Sequence, residues 1–332
     1  MLAHKLIGSA LVAIILIGSL QPAPAAPARA GRQVNIRPPT SAPVDRQQSE
    51  VEPTAPPADV PRGAWPEQTA EERAAVEREL KMRVDGWNRQ LRFRLAFHET
   101  KYFLFFTDIA QTEALRWARQ LDQMYARLAQ LFAVENGENI WRGKAVIIAF
   151  QNRHDFENLE KQVYKIDRPA GGRCHYERNG NVVITFYRFP SDADFARVLV
   201  HETTHGFFFR YRTGALIPSW VNEGLAEVME YELVPAAGLK QASDAEARAH
   251  LRRSDALQGF FEDRIDFTQY PVARTLTEFM IRQDKKRYVD FINAIKEGLP
   301  WQQALEQRYG VPLARLVQAY GASMGVPGLN AE

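Results

Sequence analysis

The chain reads as an α+β protein, and three observations point that way. Runs of strand character gather before about residue 190, helical periodicity dominates from there to about residue 323, and no internal repeat links the two parts. At 332 residues with 45% apolar composition, the chain can bury one large core or two small ones. Its 42 basic residues nearly cancel 40 acidic ones, so charge gives no reason to expect nucleic acid as a partner.

Residues 1–25 carry Lys5, an apolar run from Leu6 to Leu20 and the small-residue stretch Ala23-Pro24-Ala25. This is the pattern of a cleaved signal peptide, so a secreted or periplasmic protein with no stable membrane insertion after cleavage is expected. The competing reading is an uncleaved anchor, but Gly8, Ser9, Gly18 and Ser19 interrupt a run already short of the roughly 20 residues a span needs. Residues 26–66 are rich in Pro and Ala and poor in aliphatic side chains, which predicts a disordered linker. Cys174 is the one cysteine, so no intrachain disulfide forms, and a small packed side chain is expected there.

The folded domain is expected over residues 67–325, with a helix and sheet part to 190 and a mainly helical part beyond. Thr69 is placed to cap a helix whose early acids and later bases suit the helix dipole. Residues 101–108, KYFLFFTD, have strand character, and apolar residues from Leu115 to Leu131 then recur at helical spacing. KAVIIAF at 144–150 reads as a buried strand and 155–166 as a short helix. Asn179-Gly180 between two β-rich runs signals a hairpin. Ser191 or Asp192 then opens a helix, and a turn at 214–218 leads to a second one. Residues 233–265 look irregular or partly helical, and four helical patterns follow, at about 271–283, 286–297, 300–309 and 312–323.

The helix opened at Ser191 or Asp192 contains Val200-His201-Glu202-Thr203-Thr204-His205. Residues four apart share a helix face, so His201 and His205 can converge on one ion, while Glu202, about 100 degrees round, stands beside it. By chance this motif arises in roughly one chain of this length in a hundred, so a third ligand is required. Phe208 and Tyr211 stand where a Gly and a third His would follow in the metzincin pattern, which excludes that route. Glu223, in Trp220-Val221-Asn222-Glu223-Gly224-Leu225-Ala226-Glu227 across the short turn, completes a set of three ligands with a fourth position open.

HETTH at 201–205 and WVNEGLAE at 220–227 resemble the two core motifs of the gluzincins, the zinc metallopeptidases that include thermolysin and the aminopeptidase N family. The order of hairpin, active-site helix, glutamate helix and C-terminal helices is similar to peptidase MA-like domains of exported bacterial proteins. The resemblance implies a zincin-like fold: a small mixed sheet with a hairpin edge, then the two motif helices and a helical remainder. It implies one zinc ion on His201, His205 and Glu223. Glu202 would take a proton from the zinc-bound water and pass it to the leaving amine. Glu227, one turn after Glu223, corresponds to the acid that orients the first histidine; a plain surface role is the alternative. Tyr270 occupies a place comparable to the aminopeptidase oxyanion tyrosine, or is a packed tyrosine; Tyr211, Tyr231 and His175 are weaker candidates.

The matching hairpin strand, GNVVITFY, lacks the G-x-M-E-N motif with which aminopeptidases capture a free amine. An endopeptidase acting on a peptide or protein substrate is therefore expected, with the backbone of Asn181 to Phe186 available for strand addition. Hydrolysis of a non-peptide amide would use the same chemistry. The alternative from another class is a non-catalytic, zinc-stabilised module that binds a protein or cell-wall partner. Phe207, Phe208 and Phe209 are expected to wall the core behind the metal.

Overall fold

The computed structural model describes residues 63–331, apart from 136–137, 236–237, 254–256 and 263. The expected signal peptide and the linker up to residue 62 lie outside these residues. The end of the predicted linker is part of the fold. Ala64 pairs with Thr213, and Trp65 packs 5.5 Å from the Phe209 ring with the Arg210 guanidinium 4.3 Å from its own.

Helix α1 (Ala70–Gln90) begins where Thr69 and Glu72 cap each other reciprocally, and buries Val76, Leu80 and Val84. Five strands follow with helices between them: β1 (Ala96–Glu99), β2 (Phe103–Thr107), α2 (Gln111–Leu131), β3 (Ala145–Phe150), α3 (Arg153–Leu159), β4 (Gly172–Tyr176) and β5 (Val182–Tyr187). The sheet order is β1-β2-β3-β5-β4, with β2, β3 and β5 parallel and both outer strands antiparallel to their neighbours. The protein is thus α+β with a small mixed sheet. Alternation along β3 explains its unbroken apolar run. Ala145, Ile147 and Ala149 join the core under α2 and the C-terminal helices, while Val146, Ile148 and Phe150 join a second core under α1 and α3. No alternation marks β1, AFHE, a half-exposed outer strand that the sequence did not signal.

Because β5 lies between β3 and β4, its backbone is spoken for on both sides. Strand addition at Asn181 to Phe186 is therefore corrected: β4 is the outer strand on that side. The hairpin turns at Asn179-Gly180, where Gly180 has φ +87°, a conformation a side chain would strain. On the sheet face away from the C-terminal helices, β4 is fastened by a buried polar cluster. Glu160, in a single π-turn (Glu160–Tyr164) continuing α3, accepts from Thr185 Oγ1 at 2.6 Å, lies 2.9 Å from His175 Nε2 and stands 3.4 Å from Arg173 Nε. The Tyr164 ring stacks on His175 at 3.5 Å.

The rest of the described chain is helical: α4 (Asp192–Arg210), α5 (Ser219–Leu233), α6 (Leu239–Leu251), α7 (Tyr270–Gln283), α8 (Lys285–Lys296), α9 (Trp301–Ala304) running into a π-turn, and α10 (Leu313–Ser323). Helix α6 forms within the stretch read as irregular or partly helical. No helix among the described residues is long and apolar enough to cross a membrane. Ser191 caps α4 through Asp194 N.

The α4–α5 turn is held from α8. Lys296, fully buried, donates from Nζ to the carbonyls of Phe208 (2.7 Å) and Ala215 (2.6 Å). Burial, aided by Arg210, pushes its ammonium down to about 7 from a usual value of 10.5. The unfolded chain keeps this proton to much higher pH, so stability rises with pH above about 7 and is lost again as pH falls through it. Urea titrations between pH 6 and 9 are expected to give a rise of up to about 1.4 kcal/mol per pH unit in the wild type. Lys296→Met is expected to flatten it.

Gly224 sets the approach of α5 to α7. A Cβ there would lie 2.6 Å from the Ala273 carbonyl oxygen and would also meet Thr277 Oγ1. The obstacle is backbone, which cannot rotate away. Gly224→Ala gains about 1 kcal/mol of helix propensity but costs about 1–3 kcal/mol in overpacking. A melting temperature lower by a few degrees is expected, measured by thermal unfolding.

Candidate metal centre

From Val198 to Arg210 every residue of α4 is buried, so hydrophobic patterning gives no hint of which face carries chemistry. The spacing of the two histidines does. His201 and His205 both turn toward α5, their rings 4.6 Å apart and nearly perpendicular. Contacts between the helices run in reverse order: His205 meets Glu223, and His201 and Arg197 meet Glu230. The helices are therefore antiparallel, as the short turn demands.

Glu223 Oε2 stands 3.3 Å from His201 Nε2 and 3.5 Å from His205 Nε2. All three atoms are buried without a hydrogen-bond partner, although each would cost about 1–3 kcal/mol if left unsatisfied. A cation answers that cost. Donors about 2.0–2.1 Å from a tetrahedral ion stand about 3.3–3.4 Å apart, close to the spacings found, and a donor set of two imidazoles and one carboxylate suits zinc. His201, His205 and Glu223 thus form a buried group that could hold a metal ion.

Electrostatics follow from this crowding. Burial opposes the charge of Glu223, but His205 and His201 beside it outweigh burial and pull its pKa down to about 2. Burial likewise works against a charge on His201, yet carboxylates at both ring nitrogens push its pKa well above the usual histidine value. A metal must displace that proton, so binding strengthens as pH rises. Glu202 lies beside the ligands with neither carboxylate oxygen hydrogen-bonded. Burial pushes its pKa up to about 7, with the two histidines opposing the rise. A Cβ added at Gly172 would come within 3.2 Å of Glu202 Cγ, so the start of β4 runs beside this carboxylate.

The His201 Nδ1 bond expected of Glu227 is made by Glu230, at 2.5 Å. Helical geometry accounts for the change: relative to Glu223, position 227 is rotated by about 40 degrees and position 230 by about 20 in the other sense. Position 230 also lies almost another turn along, where an antiparallel α5 passes the earlier residues of α4. Glu227 still brings a carboxylate oxygen close to His201 and Glu230, all within 4.8 Å of one another. Glu230 Oε2 accepts from Arg197 Nε at 2.9 Å. Burial works against the charge of Arg197, but Glu230 and Tyr231 hold its pKa above the usual arginine value.

Tyr270, at the first position of α7, is brought to the centre. Its ring lies 6.4 Å from that of His201 and within 9° of parallel. Burial, then Glu223 close by, keeps its hydroxyl pKa well above 10. The other tyrosine and histidine candidates fall elsewhere. Tyr211 donates to Asn293 Oδ1 at 2.7 Å with Phe132 O 3.1 Å away, Tyr231 lies against Arg197 and Arg274, and His175 sits on the far face of the sheet with Glu160. Phe207, Phe208 and Phe209 are buried in the core against α2 and β4 neighbours such as Phe132 and Tyr176. Cys174 is buried and forms no disulfide. A scan against protein-family models finds none that matches this chain, and no curated protein matches it either.

Proposed function

We propose that the chain is an exported zinc-dependent metallopeptidase of the gluzincin kind, built on a zincin-like domain, with His201, His205 and Glu223 as the ligands of one zinc ion. One observation carries the reading. Three buried donor atoms without hydrogen-bond partners converge, with Glu223 Oε2 at 3.3 and 3.5 Å from the two imidazole Nε2 atoms, next to a buried carboxylate that is equally unpartnered.

Zinc bound there supplies a Lewis acid that polarises a carbonyl and acidifies water. Glu202 accepts the proton of the attacking water and delivers it to the leaving amine, a double duty suited to a carboxyl pKa of about 7. Tyr270 keeps its proton and donates to the carbonyl oxygen as negative charge develops. The outer strand β4, running past Glu202, offers backbone groups to an extended peptide. The absence of an amine-capturing motif in GNVVITFY favours internal cleavage of a peptide or protein.

A zinc-stabilised binding module would need no base and would close its fourth position, so the buried, unpartnered Glu202 weighs against it. Metal content and hydrolysis of an unstructured protein, measured for the wild type, Glu202→Gln and His205→Ala, test the reading. Zinc bound without cleavage of any peptide library would favour the module.

A further inference from the structure

The geometry points to Arg197 as a positioning residue for the metal ligand His201, acting through Glu230. The inference rests on the metal reading above and extends it to a group outside the ligand set.

Arg197 and His201 are one helical turn apart on α4, and a single carboxylate on α5 serves both. Glu230 Oε1 takes His201 Nδ1 at 2.5 Å and Oε2 takes Arg197 Nε at 2.9 Å, so the carboxylate cannot rotate without breaking both contacts. With Nδ1 committed as the donor, the ring presents the lone pair of Nε2 toward Glu223 and His205, the orientation a metal ligand requires. Remove Arg197 and Glu230 keeps one anchor instead of two. Its free oxygen can then turn, and the imidazole with it.

Arg197 is in turn steadied from outside α4. Its guanidinium lies 5.0 Å from the Tyr231 ring centroid, and the guanidinium of Arg274 on α7 lies 4.9 Å from the same ring. Arg274 is fully buried and donates to Ser243 Oγ (3.1 Å), Glu278 Oε2 (3.1 Å) and Asp244. A row of contacts thus runs from α6 through α7 and α5 to the first ligand. Lysine cannot replace arginine here, because a compact ammonium cannot reach the Glu230 carboxylate and the Tyr231 hydroxyl through separate N–H groups held in one plane.

The test is a competitive zinc titration of the full chain against a chromophoric chelator, with thermal unfolding of each metal-free variant as a check on folding. Arg197→Ala and Glu230→Gln are each expected to weaken zinc binding about 10- to 100-fold. The double variant is expected to bind no more weakly than the worse single one, since both act along one path. Arg197→Lys is expected to recover only part of the loss. Should Arg197→Ala fail to fold, Arg197→Gln, which keeps most of the side-chain length, carries the same comparison. Unchanged zinc affinity without Arg197, or losses that multiply in the double variant, would overturn the inference. A wild-type chain that binds no zinc would instead reject the metal reading itself.

Discussion

Glu202→Gln is expected to leave zinc bound and to lower peptide hydrolysis by about 10²- to 10⁴-fold, the usual contribution of a positioned general base. The two outcomes separate because Glu202 lies outside the donor set: His201, His205 and Glu223 converge without it. Glutamine has nearly the same shape, so the packing against Gly172 is kept. What disappears is the proton acceptor. The amide also needs no charged form, so the burial that pushes the Glu202 carboxyl up to about 7 costs the variant nothing of that kind. Thermal stability of the metal-free protein is therefore expected to be equal or slightly higher. Parallel measurement of metal content and turnover decides the matter, and full activity in the variant would remove Glu202 from the chemistry.

His205→Ala is expected to abolish both metal and turnover. Shared over three protein ligands, the roughly 10–16 kcal/mol of a zinc site gives about 3–5 kcal/mol for the loss of one, or about 10²- to 10⁴-fold in affinity. His205 shares its donor group with His201 and Glu223, so its loss leaves two buried donors in place of three. The clearest reading is thermal. Zinc is expected to raise the melting temperature of the wild type through preferential binding to the folded state and to leave that of His205→Ala where it was. A variant still protected by zinc would mean that the ion sits elsewhere.

The convergence of His201, His205 and Glu223 was legible in the sequence because it depends on short-range geometry: one turn of helix for the two histidines, and a tight turn that brings Glu223 opposite. Tyr270 was legible only through resemblance, since nothing local fixes how α7 crosses α5. Glu230 stayed hidden for a related reason. Which carboxylate meets His201 Nδ1 depends on the depth to which α4 and α5 overlap, and no short-range pattern in the sequence reports that depth. Arg197 and Lys296 carry no signal in the sequence; only the fold brings the one to Glu230 and buries the other. Most elements were visible from periodicity or turn residues, whereas β1 was not. Its four residues pair with β2 through backbone, and AFHE carries too little apolar signal to announce a strand.

The Glu160 cluster gives β4 only one permitted alignment. Sliding the strand by a single residue would carry Arg173 and His175 round to the side of Glu202 and strip Glu160 of its partners, so the parity of this segment is fixed even though, among the described residues, no strand pairs with its outer flank. Length can change at the Asn179-Gly180 tip, beyond the last paired residues Tyr176 and Val182, without moving that parity. A tag or recognition loop grafted into this hairpin belongs at the exposed Arg178 and Asn179, and one extra residue inside Gly172–Tyr176 would turn the other face of β4 toward Glu202.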